Sequence, residues 1–311
     1  MKSNLKGFTL VELVVVMALM SILMLAIMKM FQPIRNTYVD STQYEAQRTA
    51  QTGVVQYITE TVRYATDMGV YNNASNASDA VEAFATAYCT ANSIDSSKEA
   101  AVKDAIRKNA EVIIIDNKTP HYSKNFTGRL IRRKVDGTDN SVGAPSFTGT
   151  NNIVDTTSSK WRTALGEAYY GENTFYITLD VSDSANGMLT VNVASTKNGK
   201  RDISRAGSEN TIVDSENNEL NTTTDGAAIQ TAINSNKITV TRGGVFCRNL
   251  VTTVASNPKA KGVANSGMYD VNYSADNSKD AYIVFLNLGE EDRTVTPHTF
   301  TGKKAVEEAA K

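Results

Sequence analysis

Phe8 to Met28 form an apolar run of 21 residues that carries one charge, Glu12, and one hydroxyl residue after Thr9, Ser21. Coiled as an α-helix, such a run is about 30 Å long, the thickness of a bilayer's hydrocarbon core. Few folds can absorb it anywhere but across a membrane or in a deep core. Two lysines, Lys2 and Lys6, precede it. The positive-inside rule puts those lysines in the cytoplasm and the rest of the chain on the far side.

Three ordinary readings of the run compete. A secretory signal would place a small-residue cleavage site after a shorter apolar region, and no clear site comes before Gln32-Pro33. A single-pass anchor fits the length but leaves a carboxylate near the start of the span without a reason. A core helix would be unusually long and apolar. Glu12 is therefore the informative residue, because an ionisable group inside a span costs about 2.5–3.5 kcal/mol and needs a partner. Cleavage before Phe8 would create one, a new α-amino group about one helical turn from Glu12. Within one chain that pairing is cramped. Between staggered neighbours, the ammonium of an incoming chain can meet the carboxylate of a chain already in place.

A short basic leader ending in Gly7, then Phe8-Thr9-Leu10-Val11-Glu12, then an uninterrupted apolar helix, resembles the class III signal of type IV pilins and type II secretion pseudopilins. The resemblance covers about the first 30 residues. It implies an aspartyl prepilin peptidase that cuts between Gly7 and Phe8 and methylates Phe8, and it makes Glu12 the assembly carboxylate. It also implies a pilin fold and a structural filament subunit with no enzymatic activity and no cofactor. The implied partners are other pilin subunits, the peptidase, and an assembly platform with its cytoplasmic ATPase. The implied location is the inner or cytoplasmic membrane before assembly, then an extracellular or periplasmic filament. The large head, and a looser similarity of Val54–Gly69 to the post-membrane helix of larger minor pilins, point to a minor subunit. The alternative is a membrane-anchored ligand-binding or adhesin domain that does not polymerise. An anchored hydrolase is a weaker third reading.

Beyond Met30, Ile34, Tyr38, Thr42, Ala46, Ala50, Val54, Ile58, Val62 and Ala65 recur at close to helical spacing, with Arg35, Asn36, Gln43, Gln47, Arg48 and Glu60 opposite. One helix from about Phe8 to Met68 is predicted, stopped by Gly69. Pro33 removes a helix hydrogen bond and predicts a kink or local melting, and Gly53 is a second weak point. Helices are predicted over 80–91 and 96–110, the second capped by Asp95 or Ser96. Strands are predicted over 112–116 and 128–135, with a short helix over 161–170. Residues 174–181 and 188–194 read as a hairpin turning at Ser184-Ala185-Asn186-Gly187. A polar excursion over 197–227, with short strands of its own, leads to two strands split by Gly243-Gly244. Ala281–Leu288 reads as a central strand. The ordering of elements predicts an α+β fold, a long helix packed on an antiparallel sheet with a helical insertion and long loops. The expected divisions are a leader at 1–7, a membrane or filament-core helix at 8–30, its amphipathic continuation at 31–69, the exported head at 70–289 and a mobile or weakly helical tail at 290–311.

The chemistry of sites is sparse. With 32 basic and 33 acidic residues, the net charge of −1 does not suggest a nucleic-acid partner. The densest basic cluster, Arg129, Arg132, Arg133 and Lys134, reads as the solvated face of a strand. Cys89 and Cys247 are too far apart in sequence for a C-x-x-C motif. They either form a disulfide in an exported body or stay buried as two free thiols. His121 and His298 have no partners at metal-ligand spacing. Asp180 with Asp183, and Asp270, Asp276 and Asp280, are acidic loops without the spacing of a calcium loop, so no metal is expected. No G-x-S-x-G, H-E-x-x-H, P-loop or dinucleotide fingerprint occurs.

Overall fold

The computed structural model describes residues 9–72, 74, 76–117, 128–133, 146–147, 153–154, 161–165, 169, 174–195, 211–216, 218–222, 224–247, 280–289, 291–292 and 299–311. The apolar run and its continuation form one helix, α1 (Leu10–Val62), of 53 residues and so about 80 Å long. Next come β1 (Asp67–Tyr71), α2 (Ala77–Ala91), α3 (Ser96–Asn109), β2 (Glu111–Asp116) and β3 (Arg129–Arg133). Two short strands, β4 (Ser146–Phe147) and β5 (Ile153–Val154), pair with each other, and β6 (Trp161–Thr163) pairs with β3. The predicted hairpin is β7 (Tyr176–Asp180) and β8 (Met188–Ser195), turning through Ser184–Asn186. A second hairpin, β9 (Thr211–Val213) and β10 (Glu219–Asn221), leads into α4 (Gly226–Asn234) and β11 (Thr239–Phe246). The last elements are β12 (Ala281–Leu286), the pair β13 (Glu291–Asp292) and β14 (Thr299–Phe300), and α5 (Gly302–Ala309). The fold is α+β, a long helix with antiparallel sheets, in agreement with the pilin fold.

Five strands form an antiparallel sheet in the order β1-β12-β2-β3-β6. The apolar strand β12 lies inside it with all six residues buried. Successive side chains go to opposite faces. Met68, Ile113, Ile283 and Phe285 share a core with Val54, Ile58 and Val62 of α1. Val112, Ile114, Tyr282 and Val284 share another with Phe84 of α2, Ile106 of α3 and Val306 of α5. The sheet is the middle layer of three, which is why its strands read as apolar runs rather than alternating ones. The outer helices are capped locally. Asn76 accepts from Asp79 N at the start of α2, and Asp95 accepts from Ser97 N at the start of α3.

A second antiparallel sheet, β11-β8-β7, lies directly on α1. The predicted split of β11 does not occur. The strand runs through Gly243 and Gly244 and pairs with β8 along its whole length. The glycine serves the helix instead, because a Cβ at Gly243 would lie 2.1 Å from Val55 Cγ1. Between helix and sheet, Gln51 is fully buried. Its Nε2 donates to Ser195 Oγ at 2.6 Å and its Oε1 accepts from Thr241 Oγ1 at 2.7 Å. Asn117 ties the two sheets together. Its amide donates to Ile177 O at 2.9 Å and accepts from Ile177 N at 3.0 Å, pairing the edge of β7 much as another strand would.

Several expectations are corrected. The helix stops before Met68 and Gly69, which instead pair with Phe285 and Val284 inside β1. Trp161–Thr163 opens a strand, not a helix. The amphipathic stripe meets the protein's own body only from Gln47 onward. Ile34, Tyr38, Thr42 and Ala46 are exposed, and Gln47, expected on the solvent side, is buried. The tail, expected to be mobile or weakly helical, contains a docked helix. Val306 is buried, Lys303 Nζ lies 3.0 Å from Asp67 Oδ2, and Gly302 N donates to Asn109 Oδ1 at 2.9 Å. The arginine cluster is not a solvated face. Arg129 and Arg133 are each 1% exposed. Arg129 pairs with Asp116, Arg132 with Glu111, and Arg133 donates to the carbonyls of Arg107 and Ala110. Lys134, His121, His298, Asp270 and Asp276 lie outside the described residues.

Candidate assembly and processing site

At its N-terminus α1 leaves backbone N–H groups with no partner inside the helix, and here the Thr9 side chain satisfies one of them, that of Glu12. Thr9 is the N-cap with extended backbone, φ −74° and ψ 149°. Its hydroxyl accepts from Glu12 N at 3.3 Å, and Glu12 Oε2 accepts from Thr9 N and from Thr9 Oγ1, both at 2.9 Å. This is a capping box. Its signature, Thr-x-x-Glu before an apolar run, is legible in the sequence, so Thr9 is a partner of Glu12 that sequence reasoning missed. Both bonds to the carboxylate fall on Oε2. Oε1 has no hydrogen bond among the described residues, and the negative charge has no cation beside it there.

Along the rest of the span the polar groups are satisfied within the helix. Ser21 Oγ donates to Met17 O at 2.8 Å, so its hydroxyl is no obstacle in lipid. Thr37 Oγ1 donates to Pro33 O at 2.9 Å. The helix is unbroken at Pro33, so the local melting considered for it does not occur. It is also unbroken at Gly53, where a Cβ would overlap the Tyr169 hydroxyl. Leu13, Val16, Leu19, Leu23 and Ile27 are all about half exposed or more. None of the most apolar stretch is covered by the rest of the chain, and α1 is long and apolar enough to cross a membrane. The site is thus a bare apolar rod, capped by Thr9, with one carboxylate oxygen left to accept a donor.

The other sequence-predicted residues are not gathered here. Gly7 and Phe8 lie outside the described residues. Cys89 and Cys247 are free and buried, not bridged. They belong to separate cores, Cys89 on the α2–α3 side of the five-stranded sheet and Cys247 on the α1 side. Cys247 Sγ donates to Val62 O at 3.4 Å, and burial pushes its pKa up to about 12, so it stays a thiol. Asp180 caps Ser182 N and Asp183 binds Asn186 Nδ2, so the two carboxylates do not converge. Among the described residues, no group of three or more His, Cys, Asp or Glu side chains could hold a metal ion.

Residues 2–28 match the family described as the prokaryotic N-terminal methylation motif. No curated protein and no solved structure matches the chain. The matched segment contains Gly7, Phe8, Thr9 and Glu12 and nearly all of the bare apolar rod. The chain therefore carries the prepilin signal of type IV pilins and pseudopilins, and is a pilin-like precursor of the kind that prepilin peptidase processes.

Proposed function

We propose that the mature chain is a minor structural subunit of a type IV pilus or secretion pseudopilus, without catalytic activity, assembled through α1. The observation that carries this reading is the rod itself. From Leu10 to Ala46 no residue described is buried by the chain's own body, yet the first part of that length is strongly apolar. Such a surface is stable in lipid or against other copies of the same kind of helix, and not in water. Glu12 adds direction. In lipid, its Oε1 would take the methylated ammonium of Phe8 from the next chain, and a staggered register is the arrangement that brings the two together. Other pilin subunits, the platform protein and its ATPase are the implied partners, and an extracellular or periplasmic filament is the destination. The size of the head, three layers plus a second sheet and α4, supports a subunit present in few copies.

The test is the mass of the N-terminal peptide from protein in its native cells, with the copy number of the chain in sheared filaments. A peptide that starts at Phe8 and carries one methyl, from a chain far rarer than the main filament protein, is the expected result. A peptide starting at Met1, or one cut beyond Met30, would leave a membrane-anchored binding domain instead. An abundance equal to that of the main subunit would overturn the minor role alone.

A further inference from the structure

The face of the β11-β8-β7 sheet turned away from α1 is divided in two. At one end the cross-strand row Tyr176, Ala194 and Val240 is covered by Ile229 and Ile233 of α4. Two residues further along each strand the same face carries Thr178, Asn192 and Arg242, and two further again Asp180, Thr190 and Gly244. Of these six residues only Thr178 is buried. The polar rows form the floor of a cleft of about 670 Å³, with Gln230, Ile233 and Asn234 of α4 as a wall and Val181-Ser182 as a rim. That volume lies in the range of small-molecule sites.

The lining has a particular chemistry. Arg242 and Asp180 set opposite charges on one floor, and the guanidinium helps hold the Asp180 carboxyl below its ordinary range, after the hydrogen bonds from Ser182. Between them stand amides and hydroxyls, groups that both donate and accept. Gln230 Nε2 donates to Asn234 Oδ1 at 3.1 Å. An anion would use Arg242 and be repelled by Asp180, and a cation would meet the reverse. A neutral polyhydroxyl compound satisfies both, because each of its hydroxyls donates and accepts.

We propose that this cleft binds a neutral saccharide of one or two sugar units. The site stands on its own geometry and does not depend on the pilin-like reading of α1.

The test uses the full chain in lipid nanodiscs, which avoids sugar-headed detergents. The probes are methyl glycosides of glucose, galactose, mannose and N-acetylglucosamine, and tetramers of each, followed by saturation-transfer NMR and calorimetry. At least one sugar is expected to bind at millimolar concentration, and the comparison of glycoside with tetramer shows whether the source is a single sugar or a chain. Asn192→Ala and Arg242→Gln should each weaken binding by about tenfold or more, with unchanged thermal melting. Arg48→Ala, on α1 outside the cleft, should leave it unaltered. If either cleft variant melts early, Asn234→Ala at an exposed position replaces it, with the same loss expected. Absence of binding by the whole panel overturns the proposal. So does binding that both cleft variants leave intact, or binding only of a sulfated sugar or inorganic phosphate.

Discussion

Glu12 is held by its own helix through Thr9, yet one of its two oxygens is left open among the described residues. The residue caps its helix in the single chain, and in the proposed filament its open oxygen would accept from a neighbour. Glu12→Ala is expected to leave the thermal melting of the head unchanged, since among the described residues the side chain bonds only Thr9. It should remove the chain from sheared filaments, and quantitative mass spectrometry of that fraction reads the loss. Glu12→Asp keeps the charge and should retain part of the incorporation. Recovery of Glu12→Ala at the wild-type level would sink the pairing. Deeper in the body, Gly243 shows a residue whose meaning lies in its neighbour. Gly243→Ala is expected to cost about 1–3 kcal/mol in urea unfolding, because the new methyl meets Val55 across the helix–sheet contact. Gly243→Ala with Val55→Ala should cost less than the sum of the two single changes, since the second makes room for the first. Strict additivity would show that the glycine is there for its backbone alone.

At the scale of elements, legibility followed how local the determining forces are. The capped helix α3, the hairpin β7–β8 and the apolar β12 were readable, since caps, turn residues and apolar runs are written in short windows. The end of α1 was not. Asp67–Tyr71 carries no strong strand pattern and becomes a strand because β12, more than two hundred residues later, offers it a partner. Gly243-Gly244 looked like a break for the same reason, since Val55 is far away in sequence. The arginines of β3 looked solvated because Asp116, Glu111 and the carbonyls that hold them lie on other elements. At the start of α1, the methylation motif that matches residues 2–28 was legible in the sequence, and the Thr9 cap on Glu12 was readable but missed. The helix α5 is the clearest tertiary override, a polar segment that docks because Lys303 reaches the buried Asp67. Lys303→Ala is expected to cost about 3–5 kcal/mol, since it takes a cation away from a buried carboxylate. The further change Asp67→Asn should restore much of that loss. Chemical denaturation of both variants measures it, and a loss below about 1 kcal/mol, the value of a surface pair, would mean that α5 is a loose appendage.

For the whole molecule, the important boundary lies within α1 rather than at either end of it. One helix belongs to two environments. Its first part is apolar on all sides and uncovered, while from Gln47 onward one face is core. The chain is thus a globular head with a long handle, and the proposed assembly would use a different stretch of α1 from the one that stabilises the head. This division predicts the effect of shortening. A chain beginning at Asn36 loses no described residue that is buried. It should be soluble without detergent and unfold in one cooperative transition at the temperature of the full-length head. A chain beginning at Gln56 loses Ala50, Gln51, Val54 and Val55 from the core. Burial of each Val is worth about 1.5–3 kcal/mol, and removing Gln51 also leaves the hydroxyls of Ser195 and Thr241 without their partner. That sum approaches the whole stability of an ordinary domain, so the shorter chain should fail to fold. Circular dichroism melts of the two chains decide the matter. If the chain from Asn36 also fails, the handle contributes to the head through contacts the structure does not show, and the separation of assembly from stability is wrong. If the chain from Gln56 folds as well as the other, the two sheets hold together without α1, and the helix is a handle along its whole length.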